Sequence, residues 1–277
     1  MNRVVVTGMG VISSLGNDID TFWNNIKNGK SGINFIKSFN VENYDTKFAA
    51  YVNDINYKNI SKKDIIFDSR FMTFARLASR EAYETSKLNI NKIDKDSFGI
   101  CISNSMGGVE KIVKGYDELK EKGASHISPM LLIGMLPNMA SSKVAIDLGA
   151  NGSNIPVVSS CAGGANAIGE GYIKIKNGYE KIMLVGASDA SIQPLTIALF
   201  QAMKVMYRGD NIDEASIPFD KRRSGFVIGE GAGIIILEEL EHAKERNAKI
   251  YAEVVGYGSN CDAYSLSSPD YEKLVLK

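Results

Sequence analysis

The sequence predicts an α/β protein in which helices and a β-sheet form packed layers. Short runs rich in β-branched residues recur along the 277 residues, and stretches with helical spacing of apolar residues separate them. The runs are apolar at nearly every position, which is typical of strands covered on both faces. Strands of this kind that alternate with helices indicate a layered α/β fold.

The strands and helices can be assigned in order along the chain. The predicted strands are Arg3–Gly8, Phe98–Ser103, Ile155–Ser160 and Lys181–Ser188. Helical patterns cover Phe71–Leu88 and Ala162–Lys176, and Asn177-Gly178 is typical of the C-cap of the second helix. Downstream, "GFVIGEGAGIIILEELEHAKERNAKIYAEVVGYGS" predicts a strand, an amphipathic helix over Glu238–Asn247, and another strand.

Two segments depart from this alternation. A long excursion lies near Phe35 to Lys63, within what is otherwise one domain body without internal repeats. The terminal "SSPDYEKLVLK" is typical of a helix start, with a cap near Ser268 and Pro269 in the first turn. We therefore expect the sequence to be cut within a helix.

Composition argues against several classes of partner. The 32 basic and 32 acidic residues balance, and no basic stripe is visible, so we expect neither a nucleic acid nor a membrane partner. The N-terminal apolar run is broken by glycine and fits neither a signal peptide nor a spanning helix, which makes a cytoplasmic location the expectation.

Metal and disulfide sites are not expected either. The three cysteines are widely spaced without a CxxC pair, and the chain has only two histidines. His242 is predicted to lie among solvated charges on the exposed helix that starts at Glu238, and His126 to lie in a loop.

Two glycine clusters do not fit nucleotide-binding loops. In "VTGMGVISSLG", Ser13 stands where a dinucleotide fingerprint needs its third glycine. "GEGAGI", from Gly229, precedes a strand and contains no lysine, so it is not a phosphate loop. We expect its glycines to allow a tight turn or a close approach of backbone.

The stretch "VVSSCAGGANAIGEGY" places Cys161 between a predicted strand and a predicted helix. A helix N-terminus favours an anion, and the thiolate is the nucleophilic form of cysteine. The glycines and alanines that follow are poor helix formers as a set, which indicates a helix packed closely by its neighbours. The local pattern leaves two alternatives open, a nucleophile or a small side chain that fills a tight core.

Four motifs follow one another along the chain, "RVVVTGMGVISSLGND", "SNSMGGVE", "SPMLLIGMLPNMASSKVAIDLGANGSNIPVVSSCAGGANAIGEGYI" and "ASIPFDKRRSGFVIGEGAGIIILEELEHAKERNAKIYAEVVGYGSNCDAYSLSSP". In this order they resemble the β-ketoacyl-[acyl carrier protein] synthases of the thiolase superfamily, in particular the synthase II type. The resemblance implies a thiolase-like αβαβα fold. In it, residues 1–260 would form the N-terminal half with a five-stranded mixed sheet, and residues 261–277 would begin the segment that leads to the C-terminal half.

The resemblance also implies roles for four residues. Cys161 matches the nucleophile that accepts the acyl group, and its backbone N–H would be one oxyanion-hole donor. Phe200 matches a phenylalanine that gates the acyl pocket, and Met106 a residue that lines that pocket at the dimer interface. Lys204 matches a basic position near the pocket entrance, where the acyl carrier protein approaches.

The implied reaction is a decarboxylative Claisen condensation of fatty acid biosynthesis that uses malonyl-carrier protein and needs no cofactor. The family completes its site with two histidines, a lysine and a glycine-rich loop of the C-terminal half, which this sequence lacks. Ser265 replaces a histidine often found there, and "SSCAGG" departs from the commoner threonine-alanine-cysteine run. We therefore expect the chain alone not to complete condensation.

Two alternatives remain open, a polyketide ketosynthase and a non-condensing half that binds acyl groups or dimerises. The family dimer further implies that "NIPVVSS" pairs with the same segment of a second copy. Neither the acyl chain length nor the pathway can be predicted from the sequence.

Overall fold

A computed structural model describes residues 1–57 and 60–270 of the chain. Its strands are β1 (Val4–Ser13), β2 (Asn34–Phe35), β3 (Phe48–Ala49), β4 (Phe98–Ser103), β5 (Ile182–Asp189), β6 (Gly231–Glu239) and β7 (Ala252–Val254). Its helices are α1 (Ile19–Lys27), α2 (Lys62–Phe67), α3 (Arg70–Ser86), α4 (Val109–Lys122), α5 (Met130–Met135), α6 (Met139–Leu148), α7 (Gly163–Lys176), α8 (Pro194–Ala202) and α9 (Leu240–Glu245).

The main sheet has five strands in the order β4-β5-β6-β1-β7. Strands β4 and β5 are parallel, whereas β6 pairs antiparallel with β5 and β1, and β7 pairs antiparallel with β1. The predicted five-stranded mixed sheet is therefore confirmed. The predicted excursion contains the separate two-stranded sheet of β2 and β3.

Helices cover both faces of the main sheet. Ile182 and Leu184 of β5 pack into the core cluster that includes the apolar face of α3, while Met183 and Val185 pack into the cluster of α7 on the other face. Because alternate residues of one strand face two different helix layers, every position is apolar. This arrangement explains why the strands lack a polar face in the sequence.

The glycines of "VTGMG" serve close packing of α3 on β1. A Cβ atom at Gly8 would collide with the backbone carbonyl of Ala82, and one at Gly10 with the carbonyl of Ala78. Because glycine has no Cβ atom, it allows the backbone of α3 to approach β1 this closely. The contact between this helix and the sheet therefore explains the two glycines of "VTGMG".

The predicted strand over Ile155–Ser160 is wrong for this chain. Past one bridge between Ile100 and Asn154, residues 155–159 form no strand pairing. A strand requires a hydrogen-bonded neighbour, and this segment leaves the outer edge of β4 after Asn154. Ile155 and Val158 are 63% and 57% exposed, so the apolar run is not a buried strand here.

The predicted exposed helix over Glu238–Asn247 is also wrong at its start. Glu238 belongs to β6 and is fully buried, and α9 begins only at Leu240. The Glu238 carboxylate accepts hydrogen bonds from Thr7 Oγ1 at 2.7 Å, from Arg246 Nε at 2.7 Å and from Arg246 Nη2 at 2.6 Å. Its Oε1 atom lies 2.6 Å from His242 Nδ1. Burial raises the pKa of Glu238, but the bonds from Arg246, His242 and Thr7 outweigh it and lower the pKa to about 2. His242 therefore belongs to a half-buried ion-pair cluster and not to a solvated face.

At the end of the chain, Ser268, Pro269 and Asp270 are not helical. The rest of the predicted terminal helix falls on residues 271–277, which lie outside the described residues. Among residues 1–57 and 60–270, no helix combines the length and the apolar character needed to cross a membrane.

Candidate active site

The carboxyl ends of β4 and β5 form the edge on which the candidate site is built. Since these strands are parallel, Ser103 and Asp189 end them on the same side of the sheet. The start of α7 packs on this edge, because a Cβ atom at Gly163 would collide with Ser103 Oγ and one at Gly164 would lie 3.4 Å from Ala187 Cβ. Cys161, two residues before Gly163, therefore lies at the carboxyl edge of the sheet.

Cys161 occupies a sharp turn that precedes α7. Residues Ser160–Ala162 form a 3₁₀ turn, and Ser160 has a left-handed backbone with φ of 49°. The α-helix thus begins at Gly163, one residue later than predicted. The N-cap residue of α7 is Ala162, whose methyl side chain makes no cap hydrogen bond. The start of an α-helix presents backbone N–H groups that favour an anion. The thiol of Cys161 is exposed, which suits a nucleophile and not a core-filling side chain.

The loop that carries Met106 is held by a carboxylate that the sequence analysis missed. Asp189, the last residue of β5, accepts hydrogen bonds from Ser105 N at 3.1 Å, from Ser105 Oγ at 2.8 Å and from Met106 N. Burial raises the pKa of Asp189, and these hydrogen bonds oppose that effect in part. Its signal in the sequence is an acidic residue directly after an apolar strand, "IMLVGASD".

Phe200 lies on α8, the helix that follows β5. Its half-buried ring stands edge-on to Phe226, with ring centroids 5.5 Å apart and an interplanar angle of 79°. It packs at the margin of a core cluster that includes Ile197 and Met206 together with residues of the excursion. Lys204 follows the end of α8, is exposed, and has a left-handed φ of 60°.

The fold brings three of these features to one edge. The Cys161 turn, the Met106 loop and the start of α8 all lie where β4 and β5 end, whereas Lys204 lies beyond the far end of α8. Within residues 1–57 and 60–270, no hydrogen bond or aromatic contact joins Cys161 to Phe200, Met106 or Lys204.

The remaining cysteines and histidines lie elsewhere. Cys101 is buried in β4, and burial raises the pKa of its thiol to about 11. His126 is exposed in a 3₁₀ turn after α4, and His242 lies beside Glu238 at the opposite edge of the sheet, where β5 begins. In the part of the chain that is described, no group of three or more His, Cys, Asp or Glu side chains is arranged to hold a metal ion.

The model of the family described as "Beta-ketoacyl synthase, N-terminal domain" matches residues 1–243. The chain belongs to the β-ketoacyl synthase family. The chain is 42% identical over 269 residues to 3-oxoacyl-[acyl-carrier-protein] synthase 2 of Synechocystis, and 40% identical over 268 residues to the protein of that name from Staphylococcus aureus. Each alignment covers 96% of this chain and 65% of the relative. The chain thus spans just under two thirds of the length of these relatives.

Solved structures of ketosynthases share the fold. A β-ketoacyl synthase from Burkholderia phymatum superposes with a TM-score of 0.87 at 28% identity, and the match covers 99% of this chain and 68% of that protein. A ketosynthase of a type II polyketide synthase, solved with its acyl-carrier protein and bound to a hexaketide, gives a TM-score of 0.86 at 32% identity, with coverages of 95% and 64%. The thiolase-like α/β fold inferred from the sequence is therefore confirmed, and the chain corresponds to its N-terminal half.

Proposed function

We propose that the chain is the nucleophile-bearing part of a condensing enzyme of fatty acid biosynthesis. The observation that carries the proposal is the exposed Cys161 on an uncapped helix start at the carboxyl edge of the sheet. The names of the Synechocystis and Staphylococcus aureus relatives support fatty acid synthesis as the pathway. We place the enzyme in the cytoplasm, where carrier-protein thioesters are its substrates.

In the first half-reaction, the Cys161 thiolate attacks the carbonyl carbon of an acyl carrier-protein thioester. The carbonyl electrons move to oxygen, and we assign the backbone N–H of Cys161 as one donor to this oxyanion. When the tetrahedral intermediate collapses, the bond to the carrier sulfur breaks, the carrier leaves as its thiolate and takes up a proton, and the acyl group stays on Cys161.

In the second half-reaction, malonyl-carrier protein loses carbon dioxide and the electron pair of the broken bond forms an enolate. The enolate carbon attacks the acyl-cysteine carbonyl, and Cys161 leaves as a thiolate. The enolate oxygen requires hydrogen-bond donors. Neither His126 nor His242 is placed to act as one, so we assign these donors to the histidines that the resemblance implies outside residues 1–277.

We assign the acyl pocket to Phe200 and Met106 and carrier-protein docking to Lys204. A half-buried aromatic ring next to an exposed helix end can restrict access to a chain-shaped pocket. The Asp189 hydrogen bonds fix the loop in which Met106 would line that pocket. Lys204 presents an exposed cation to an acidic partner surface.

We also propose a homodimer formed through the segment before Cys161. Ile155 and Val158 expose apolar side chains along an extended segment, which a second copy could cover by strand pairing. Val158→Asp should lower the sedimentation coefficient to that of a monomer, and an unchanged dimer would argue against this surface.

A polyketide ketosynthase is the second candidate. The likeness to the polyketide ketosynthase solved with its acyl-carrier protein favours it, at 32% identity. The same nucleophile would then carry a growing polyketide in place of a fatty acyl chain. A half that only holds acyl groups or dimerises is the third reading, in which acylation occurs without extension.

The test is acylation from a carrier-protein thioester, detected by mass on the peptide that contains Cys161. We expect the acyl adduct on wild-type protein, none after Cys161→Ala, and an unchanged yield after the matched change Cys261→Ala at an exposed cysteine. Acylation that persists in Cys161→Ala would overturn the proposal. A preference for saturated acyl over polyketide-like thioesters separates the first candidate from the second.

A further inference from the structure

The α7 helix is joined to the segment after β7 by a chain of side-chain hydrogen bonds. Tyr257 OH donates to Asn166 Oδ1 at 2.9 Å, and Asn166 Nδ2 donates to Ser159 Oγ at 2.7 Å. Tyr257 and Asn166 are 91 residues apart, so the contact depends on the fold. Ser159 lies two residues before Cys161, and Asn166 lies in the first turns of α7.

The two bonds hold the Asn166 amide at both ends. An amide oxygen only accepts hydrogen bonds and an amide nitrogen only donates them, whereas a hydroxyl can do either. The hydroxyls of Tyr257 and Ser159 therefore satisfy both ends of the amide at once. The Asn166 side chain thereby links the first turn of α7 to Ser159, the residue before the turn that contains Cys161. We call the two hydrogen bonds that join Tyr257, Asn166 and Ser159 the clasp.

The segment 255–257 is fastened to α7 at two further places. The Tyr257 ring lies against Gly169, where a Cβ atom would collide with the ring. Tyr172 OH donates to the backbone carbonyl of Val255 at 3.2 Å. Tyr257 is therefore held firmly enough to orient Asn166.

The turn itself needs such support. Ser160 holds a left-handed backbone, which costs energy for a residue other than glycine and persists only where its surroundings enforce it. The described residues include no side-chain cap on α7 and no hydrogen bond from the Cys161 side chain that would hold the turn. The Asn166–Ser159 bond spans the turn from one side to the other.

We propose that Tyr257, Asn166 and Ser159 are positioning residues that hold Cys161 in its reactive place at the start of α7. Loss of these hydrogen bonds lets the turn relax and moves the Cys161 sulfur away from its place before the first N–H groups of α7. The inference rests on the proposed nucleophilic role of Cys161 for its meaning in catalysis.

The experiment measures iodoacetamide alkylation of Cys161 and Cys261 together in the whole protein, by peptide mass, in wild type and four variants. We expect Tyr257→Phe and Ser159→Ala each to slow alkylation of Cys161 about threefold to tenfold, the range that one lost hydrogen bond gives. Ser159→Thr retains the accepting hydroxyl and should alkylate like wild type. Tyr264→Phe, which removes a hydroxyl from an exposed tyrosine, is the matched control and should change nothing.

Cys261, an exposed cysteine outside these hydrogen bonds, controls for any change that affects both thiols in the same sample. The inference is overturned if Cys161 and Cys261 rates change together, if neither Tyr257→Phe nor Ser159→Ala slows Cys161, or if Ser159→Thr is as slow as Ser159→Ala. Alkylation needs no carrier protein. Failure of acyl transfer on wild-type protein would thus reject the proposed function alone, whereas unaltered alkylation in the variants would reject the clasp alone.

Discussion

At the level of single residues, the three cysteines differ in ways that predict their reactivity. Cys101 is buried with a pKa raised to about 11, so little of it is thiolate at neutral pH. Cys161 and Cys261 are both exposed, but only Cys161 precedes a helix start. We expect brief iodoacetamide treatment near neutral pH to label Cys161 first, as read by peptide mass mapping. Equal labelling of Cys261 would show that the helix start contributes nothing.

Phe200 gives a second prediction at this scale. Because its ring is half-buried at the margin of its cluster, Phe200→Ala should enlarge the acyl pocket and shift acylation toward longer chains without unfolding the protein. Acylation rates across a series of acyl chain lengths measure the shift. Leu199→Ala, at an exposed neighbour on α8, is the matched control. An unchanged profile in Phe200→Ala would make Phe200 an ordinary core residue.

Sequence reasoning singled out Cys161 as a candidate nucleophile but not the residues that contact its surroundings. Cys161 is visible because its neighbours in the chain show a turn and a small-residue helix. Asp189 and Tyr257 act on partners 84 and 91 residues away, and no local pattern records such contacts. The misassignment of His242 has a different, local origin, because Glu238, four residues before it, belongs to β6 and not to the helix.

At the level of elements, the packing of α7 on β4 gives a prediction. A methyl group at Gly163 would collide with Ser103 Oγ, and Ser103 Oγ has no hydrogen-bond partner in the described structure. We expect Gly163→Ala to destabilise the protein by about 1–3 kcal/mol, the usual cost of overpacking. Ser103→Ala alone should cost little, and the double variant should recover part of the loss. Denaturant unfolding of wild type, the two single variants and the double variant gives the free energies of this double-mutant cycle. If the losses of the single variants add up to the loss of the double variant, the contact is contradicted.

The Glu238 cluster, which joins β6, β1 and α9, gives a prediction on pH. Folding lowers the pKa of Glu238 from 4.5 to about 2. The ionised carboxylate therefore stabilises the folded protein fully when the pH is above the pKa of the unfolded state, and this stabilisation is lost as the pH falls toward about 2. Glu238→Gln should lower the free energy of unfolding at neutral pH by about 3–5 kcal/mol, since it breaks a buried ion pair. It should also flatten the loss of stability on acidification. Glu241→Gln, in an exposed pair with Lys244, is the control and should leave the pH profile unchanged.

Most elements could be predicted because each buried strand and helix carries its own periodic pattern. The bounds of β4 agree fully with the prediction, and those of α3 and α7 nearly do. The strand predicted over residues 155–160 was wrong because apolar residues indicate that a segment is buried or paired, but they do not identify the surface that covers or pairs with it. The predicted start of α9 was wrong because Glu238, an acidic residue at the end of a buried strand, cannot be distinguished by sequence pattern from the first residue of a charged helix.

At the level of the whole molecule, the edge that carries the site is served by segments from distant parts of the chain. The Met106 loop follows β4, the Cys161 turn precedes α7, and α8 follows β5. The segment after β7 contacts α7 through the hydrogen bond between Tyr257 and Asn166. Such a site forms only when the whole sheet has formed. We therefore expect thermal unfolding and loss of Cys161 alkylation selectivity to coincide.

The division of the reaction between residues 1–277 and the rest of the family fold gives the last prediction. Acyl transfer needs a reactive thiolate and a placed thioester, and both are proposed for this chain. Extension also needs donors for the malonyl-derived enolate, and loss of even one such donor typically costs about 10²–10³ in rate. We expect residues 1–277 incubated with acyl- and malonyl-carrier protein to give acylated Cys161 without release of carbon dioxide, whereas a full-length relative gives both. Carbon dioxide release or a β-ketoacyl product from residues 1–277 would place the enolate donors within this chain, and His126 and His242 would then be the first residues to substitute.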